Sequence, residues 1–331
     1  MGLFEPGLNS REERMTPELR HQPKPSEDKG FILVVVLWSA VLLALFAAGF
    51  SGSVRTHIRS TASAMELARA EALANGGINL ALLDLITARR SPASERRFPV
   101  GGQSVACRAA DRASLVIRIE DEAGKVNLNL ASESLLAALF SGLGATSEQA
   151  SSFASRVMDF RDGDDEPRPG GAERDSYLAT GWAASPKNSA FDNVDEIEQV
   201  LGLPSHLTAQ SKAIATVHSG LSGVDPIVMV PALRAALDAA SLQDGIDPLE
   251  RLGLSPGRGQ RDTRFSATTT QRAFSIRATA QLASGVQFAS HAIIEFQERA
   301  GTQYMVHQWR HGSTGLEDMP QATSEAVLPP C

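Results

Sequence analysis

The sequence predicts an α+β fold in which a long N-terminal helix packs on an antiparallel sheet, and a large all-helical domain is inserted into that sheet. Three observations predict it. An uncharged apolar run opens a long stretch of strong helix formers. Alternating strand patterns occur near residues 96–120 and again only near the end of the chain. Between them, about 110 residues read as helices and loops alone.

From Gly30 to Val54 the chain carries no charge, a run of 25 residues. At ~1.5 Å per helical residue, such a run spans a hydrocarbon core of ~30 Å, so residues 31–54 are expected to cross a membrane. An ordinary secretory signal has an apolar part of only ~7–15 residues, which leaves a plain signal anchor as the simpler alternative. Five basic residues lie among the first 30, and the positive-inside bias puts that end in the cytoplasm. Helix formers continue to Ser91-Pro92, with Leu67, Leu73, Leu80 and Leu83 forming a face at helical spacings. One helix from Phe31 to about Arg90 would be roughly 90 Å long. Gly49, Gly52 and the Gly76-Gly77 pair each cost up to ~1 kcal/mol against Ala there; they mark bends, local melting, or a break between two helices.

The period then changes. Leu115, Ile117 and Ile119 alternate with Val116, Arg118 and Glu120, as a half-buried strand requires. From Ser132 to Leu237 the segments SESLLAALFSGL, SEQASSFASRVMDF, NVDEIEQVLGL, HLTAQSKAIATV and DPIVMVPALRAAL read as helices. Strand patterns return in RAFSIRATAQL, VQFASHAIIEF and QYMVHQWR. The expected organisation is a leader at 1–30, the two halves of the helix at 31–54 and 55–92, and a β domain at 93–124 and 262–312. A helical domain at 125–245, a loop at 246–261 and a disordered tail at 313–331 complete it. The polar, Gly-rich GLSPGRGQRDTRFSATTTQ is expected to be mobile.

A net charge of -7 and a pI near 5.6 give no general attraction for nucleic acid or anionic lipid. Cys107 and Cys331 imply no disulfide framework; a bridge between them is compatible with the sequence, but Cys331 ends the tail read as disordered. No HExxH motif or phosphate loop accompanies the paired Asp residues, so hydrolytic chemistry is not expected. NVDEIEQVLGLPSHL, read as half of a helix-hairpin-helix, has acidic flanks unsuited to phosphate.

Between Asp159 and Asp175 lie seven carboxylates and three arginines, with Gly163, Gly170 and Gly171 permitting tight turns. Hard oxygens at close spacing suit Ca²⁺, which takes 6–8 of them in flexible geometry, although the spacing is not that of an EF-hand. Asp162, Asp164, Glu173 and Asp175 are the leading ligand candidates, two from each limb of the loop. The alternative is a solvated acidic turn held by Arg161 and Arg174.

DEAGKVNLNLAS, then VMDFRDGDDEPRPGGAERDSY and KNSAFDNVDEIEQVLGLP, resemble three motifs of the type II secretion minor pseudopilin K family. These are D-x-x-G-K-[IV]-N-[LI]-N, D-x-R-D-x-D…G-A-E-x-x-x-Y and N-x-x-F…E-[IL]. The matching residues are Asp121, Gly124, Lys125, Asn127 and Asn129; Asp159, Arg161, Asp162, Asp164, Gly171, Ala172, Glu173 and Tyr177; and Asn188, Phe191 and Glu196. Phe160 stands where Trp is more usual, and SGLSGVDPIVMVPALRAAL lacks the frequent N-x-N-T-A. The basic leader followed by Gly30 and Phe31 resembles the type III signal of type IV pilins and pseudopilins.

The resemblance implies a pilin-like fold and cleavage between Gly30 and Phe31 by prepilin peptidase, with methylation of the new amino terminus. Most of the wider family has Glu five residues after the cut; here that position is Val35, and its loss is typical of the K class. The implied protein is not an enzyme. It is a minor pseudopilin at the tip, helping to initiate pseudopilus assembly for protein export across the outer membrane. It would span the bacterial inner membrane once, with its C-terminal domain in the periplasm. Its implied partners are the I, J and H minor pseudopilins, the major pseudopilin and the peptidase, with Ca²⁺ as cofactor. A minor pilin of a type IV pilus or DNA-uptake system is the alternative; the inserted domain and Val35 tell against it. The mature protein is predicted to begin at methylated Phe31, and a larger residue at position 30 to block processing. Mass spectrometry of the amino terminus checks this, and an intact Met1 in cells that possess the peptidase would refute it.

Overall fold

The computed structural model describes residues 29–91, 95–109, 112–182, 185–244, 265–297, 303–312 and 329–331, without the side chains of 29–30, 48–59 and 241–244. Two compact units divide the chain, one ending at Ala62 and the other running from Ser63 to Cys331. Helix α1 (Lys29–Arg90) supplies residues to both and is continuous, so the two-helix alternative does not occur. In the first unit it exposes large apolar side chains, among them Phe31, Trp38, Leu43 and Phe46. Among the described residues, no helix is long and apolar enough to cross a membrane. The leader and the 246–261 loop lie outside the described residues.

In the second unit, β1 (Gly101–Arg108) and β2 (Ser114–Asp121) are followed by a 3₁₀ turn (Glu122–Gly124) and the short β3 (Val126–Asn127). Then come α2 (Glu133–Gly142), α3 (Ser147–Arg161), α4 (Arg174–Thr180), a 3₁₀ segment (Val194–Gln199), α5 (Ser205–Ile214), β4 (Ala215–Thr216) and α6 (Pro231–Asp244). Last are β5 (Ala273–Gln281), β6 (Gln287–Phe296) and β7 (Tyr304–Gly312). The main sheet has the order β1-β2-β5-β6-β7, every pair antiparallel. Neighbours β2 and β5 are therefore separated in sequence by the whole helical region, as the α+β reading requires.

The alternation at 115–120 is realised: Leu115, Ile117 and Ile119 face α1 together with Phe274, Ile276, Ala278 and Ala280 of β5. The helix presents Ala74, Ile78, Ala81, Leu82 and Leu85 to them. This is not the expected leucine face. Leu67 and Leu83 are exposed, and Leu73 and Leu80 only partly buried. Ala74, Ala81 and Gly77 let the helix approach the sheet closely, Gly77 lying against Ala278 and Leu115, while Ile78, Leu82 and Leu85 fill the contact. Asn75 adds a polar tie, its Oδ1 accepting from Ser290 Oγ at 2.7 Å and Trp309 Nε1 at 3.3 Å.

The helical region has its own core, built on Leu135, Leu139 and Phe140 of α2, Phe153, Val157 and Phe160 of α3, and Leu233 and Leu237 of α6. The Thr146–Gln149 capping box starts α3. Of DPIVMVPALRAAL only the part from Pro231 is helical, consistent with proline's preference for a first helical position. Helix α4, inside the acidic loop, was not legible as a helix. The polar 253–271 segment is ordered where it is described: Phe265 is buried, Val224 bridges Ser266, and Thr269 Oγ1 donates to Asp121 Oδ2 at 2.7 Å.

The end of the chain also differs from expectation. Cys107 and Cys331 form a disulfide with Cα atoms 5.0 Å apart. Arg108 N–H donates to Pro329 O at 2.7 Å, and Cys331 N–H to Arg108 O at 3.0 Å. Residues 329–331 are thus fixed on β1, while 313–328 lie outside the described residues. Cross-linking residues 224 apart stabilises the fold by about 5 kcal/mol in the chain-entropy picture.

The two adjacent glycines of α1 give a discriminating test. A methyl group at Gly76 meets nothing within 4 Å, whereas at Gly77 it would meet Ala278 Cβ at 2.9 Å and Leu115 at 3.1 Å. Gly76→Ala is predicted to stabilise by up to ~1 kcal/mol through helix propensity, and Gly77→Ala to destabilise by ~1–3 kcal/mol through overpacking. Equilibrium unfolding of the two variants side by side checks the order.

Candidate metal centre in the acidic loop

Helix α3 ends at Arg161 with Asp162 as its C-cap, and the chain returns at Glu173, the N-cap of α4. Within that loop, ligand-capable oxygens of Asp162, Asp164 and Glu173 all lie within 4.8 Å of one another. Asp175, the fourth candidate, is not among them; it sits exposed in the first turn of α4. Because the helix begins at Arg174, Glu173 points into the loop while Asp175 has already turned away.

Fully buried Asp159 underlies the cluster. Its Oδ2 accepts from Arg168 N–H at 3.2 Å and Ala172 N–H at 2.9 Å. Gly171 passes so close that a Cβ would lie 2.0 Å from that oxygen. Arg168 bridges the carboxylates, with Nη2 2.9 Å from Asp162 Oδ2 and Nε 3.2 Å from Asp159 Oδ1. This pairing replaces the expected role of Arg161, which instead donates to the carbonyls of Leu128 and Ala131. Nothing in the sequence spacing separates Arg168 from its neighbours; only the loop's path does.

One arginine is too little for this much charge. Both Glu173 oxygens, Asp162 Oδ1 and Asn188 Oδ1 are buried without a hydrogen-bond partner among the described residues. Burial, reinforced by Asp159, Asp162, Asp165 and Asp164, pushes the Glu173 carboxyl up to about 7. Burial and Asp162 likewise raise Asp159. A carboxylate placed so either keeps its proton or takes a cation. The donors are all hard oxygens, and Asn188, tied to the loop through Nδ2 to Asp164 O (3.1 Å) and Asp165 Oδ1 (2.9 Å), brings an unpaired amide oxygen. That set fits Ca²⁺ rather than a nitrogen- or sulfur-seeking ion.

The remaining motif residues build the frame. Asn129 clamps Phe191 by two hydrogen bonds, Nδ2 to Phe191 O at 2.9 Å and Phe191 N–H to Oδ1 at 2.7 Å. Phe191 stacks on Phe160 with centroids 4.9 Å apart. Tyr177 accepts Leu201 N–H at 2.9 Å. Asn127 Nδ2 donates to Ser219 Oγ at 3.0 Å, and Glu196 pairs with Lys187 at 2.9 Å. In the first unit, Gly30 and Phe31 lie in the first turn of α1, and Phe31 and Val35 expose their side chains.

Residues 114–219 match the family model described as Type II secretion system (T2SS), protein K. The chain is similar to protein K. The matched segment holds β2, the acidic loop and the helices around it. A comparison with curated proteins finds no match. Among solved structures, a chain of the GspK-GspI-GspJ complex from the enterotoxigenic Escherichia coli type 2 secretion system shares the fold. Its TM-score is 0.56 at 17% identity, over 77% of this chain and 99% of that one.

The titration of Glu173 has a definite sign. Folded, it holds its proton up to about pH 7; unfolded, it loses it near ~4.3. The folded chain therefore binds more protons between these values, and metal-free stability falls as pH rises through that window, by about 4 kcal/mol for this group. In chelator at pH 8, Glu173→Gln is predicted to melt above the parent, with the difference vanishing toward pH 4. With millimolar Ca²⁺ at pH 8 the parent gains RT ln(1 + [L]/Kd), ~2.7 kcal/mol at a hundredfold excess, and the variant gains less. A parent melting curve indifferent to Ca²⁺ at pH 8 leaves only a solvated acidic turn.

Proposed function

We propose that this chain is a minor pseudopilin of the type II secretion system, a tip component that helps initiate pseudopilus assembly for protein export across the outer membrane. The observation carrying this reading is the interruption of a helix-backed sheet, between adjacent strands β2 and β5, by a helical region that matches the protein K model. In a helical array of subunits, each α1 packs against its neighbours and each sheet domain lies above. A bulky insertion is accommodated more readily at the end of such an array than within it.

The charge pattern of α1 supports the same position. A carboxylate among apolar side chains needs a cationic partner; Val35 offers none, so it does not recruit the amine of a neighbour in the way a repeating subunit does. We further propose that residues 31–54 anchor the chain once in the inner membrane after cleavage at Gly30 and methylation of Phe31. The second unit then lies in the periplasm, a compartment where a disulfide such as Cys107–Cys331 persists. The role is mechanical rather than catalytic. Ca²⁺ bound by Asp162, Asp164 and Glu173 would join the two limbs of the acidic loop and relieve their repulsion.

The companions are the I and J minor pseudopilins, with H, the major pseudopilin and the peptidase also in contact during assembly. A fragment beginning near Arg55 is predicted to form a stable complex with the periplasmic parts of I and J, measured by light scattering after size exclusion. A fragment that stays monomeric in the mixture yet polymerises alone into filaments would overturn the tip assignment.

A further inference from the structure

A second group of ligand-capable side chains, separate from the acidic loop, lies beside a cleft. A cleft of about 700 Å³ is lined by the helical region on one side and the main sheet on the other, with Lys212, His218, Arg277, His291, His307 and Arg310 around it. At its rim, His218, Glu295 and His307 hold ligand-capable atoms within 4.8 Å of one another. His218 follows β4, where its N–H donates to Thr216 Oγ1 at 3.0 Å. Glu295 is on β6 and His307 on β7; Glu295 pairs in register with Met305, so His307 is its diagonal neighbour.

Pairing within the sheet accounts for part of this group. Glu295 Oε1 accepts from Arg272 Nε at 2.6 Å, and Oε2 lies 2.5 Å from His307 Nε2. His218 is left over. Its ring packs on His307, centroids 4.4 Å apart, and makes no hydrogen bond to any described residue. Two imidazoles at contact distance beside a carboxylate are otherwise an uneconomical arrangement, and a shared cation converts all three into partners.

We propose that His218, His307 and Glu295 bind a borderline divalent transition ion of the Zn²⁺ type, with water completing the coordination. Two nitrogens and one oxygen suit Zn²⁺ and do not suit Ca²⁺, so this site and the acidic loop select different ions. Arg272 is the outer partner that turns Glu295 Oε2 toward the ion. The three ligands come from separate parts of the chain, and the ion ties the end of the helical region to β6 and β7.

The test uses the full chain in detergent and Zn²⁺ alone, in competition with a chromophoric chelator. One ion is expected at this site, with affinity at least tenfold weaker in His218→Ala and in His307→Ala and unchanged in His206→Ala, an exposed histidine of α5. Circular dichroism in chelator shows that each variant is folded; should either alanine variant unfold, His307→Gln replaces it. X-ray absorption on the unaltered, zinc-loaded chain is expected to show two imidazole ligands. The proposal is overturned by a chain that retains no Zn²⁺ at micromolar concentration, by affinity unaffected in the histidine variants, or by a spectrum without imidazole.

Discussion

The second unit depends on one buried ammonium at the point where the chain leaves its sheet. Lys125, almost fully buried, places Nζ 2.9 Å from Glu120 Oε2, 2.8 Å from Glu122 Oε1 and 3.0 Å from Ser275 Oγ. Glu120 is near the end of β2, and Ser275, its register partner, is near the start of β5. One cation thus holds the exit and the return of the helical region side by side. Burial alone would lower the Lys125 ammonium, but Glu122 and Glu120 together raise it. Burial would raise Glu120, but Lys125, Arg118 and Arg277 hold it low. Each charge is tolerable only because the others are present, and removing one partner of such a cluster typically costs ~3–5 kcal/mol.

Around that cluster the fit is steric as well as electrostatic. A Cβ on Gly124 would lie 2.1 Å from Val228 O, so the chain passes there only as glycine. Asp225 N–H donates to Ala123 O at 2.8 Å, and its Oδ2 accepts from Thr269 N–H at 2.7 Å, adding a second clasp between the start and the end of the excursion. With both ends fixed, the helical region folds on its own core without disturbing the strand register on either side. The acidic loop is then carried on α3 and α4, and its three closest carboxylates reach one another because Arg168, Gly171 and the Asn129–Phe191 clamp leave the loop one path.

Strands were legible because alternation at 115–120 and in the last three segments marks a face, and a face is what a sheet buries. The helix face was not, since the buried stripe of α1 combines Ile78, Leu82 and Leu85 with Ala74, Ala81 and the closely approaching Gly77, and small residues weigh little in an apolar pattern. That Asp162, Asp164 and Glu173 lie near one another follows from the two limbs of the loop meeting; that Asp175 lies outside the group required knowing where α4 begins. Arg168 was missed for Arg161 because proximity in sequence says nothing of which arginine turns toward buried carbonyls. His218, Glu295 and His307 were beyond reach, as no spacing links residues brought together by strand register and a distant loop. The bond to Cys331 was left open for the same reason.

The same bond has a consequence for the sheet's edges. Strand β1 is bulged between Gly101 and Ser104 and, at Arg108, pairs with Pro330, which offers no N–H. Strand β7, among the described residues, is the open edge, with Tyr304, Met305 and Val306 exposed. A sheet blunted on one side and open on the other has a direction. Among the described residues a foreign strand therefore meets fewer obstacles along β7 than along β1, whose Arg108 end is already covered.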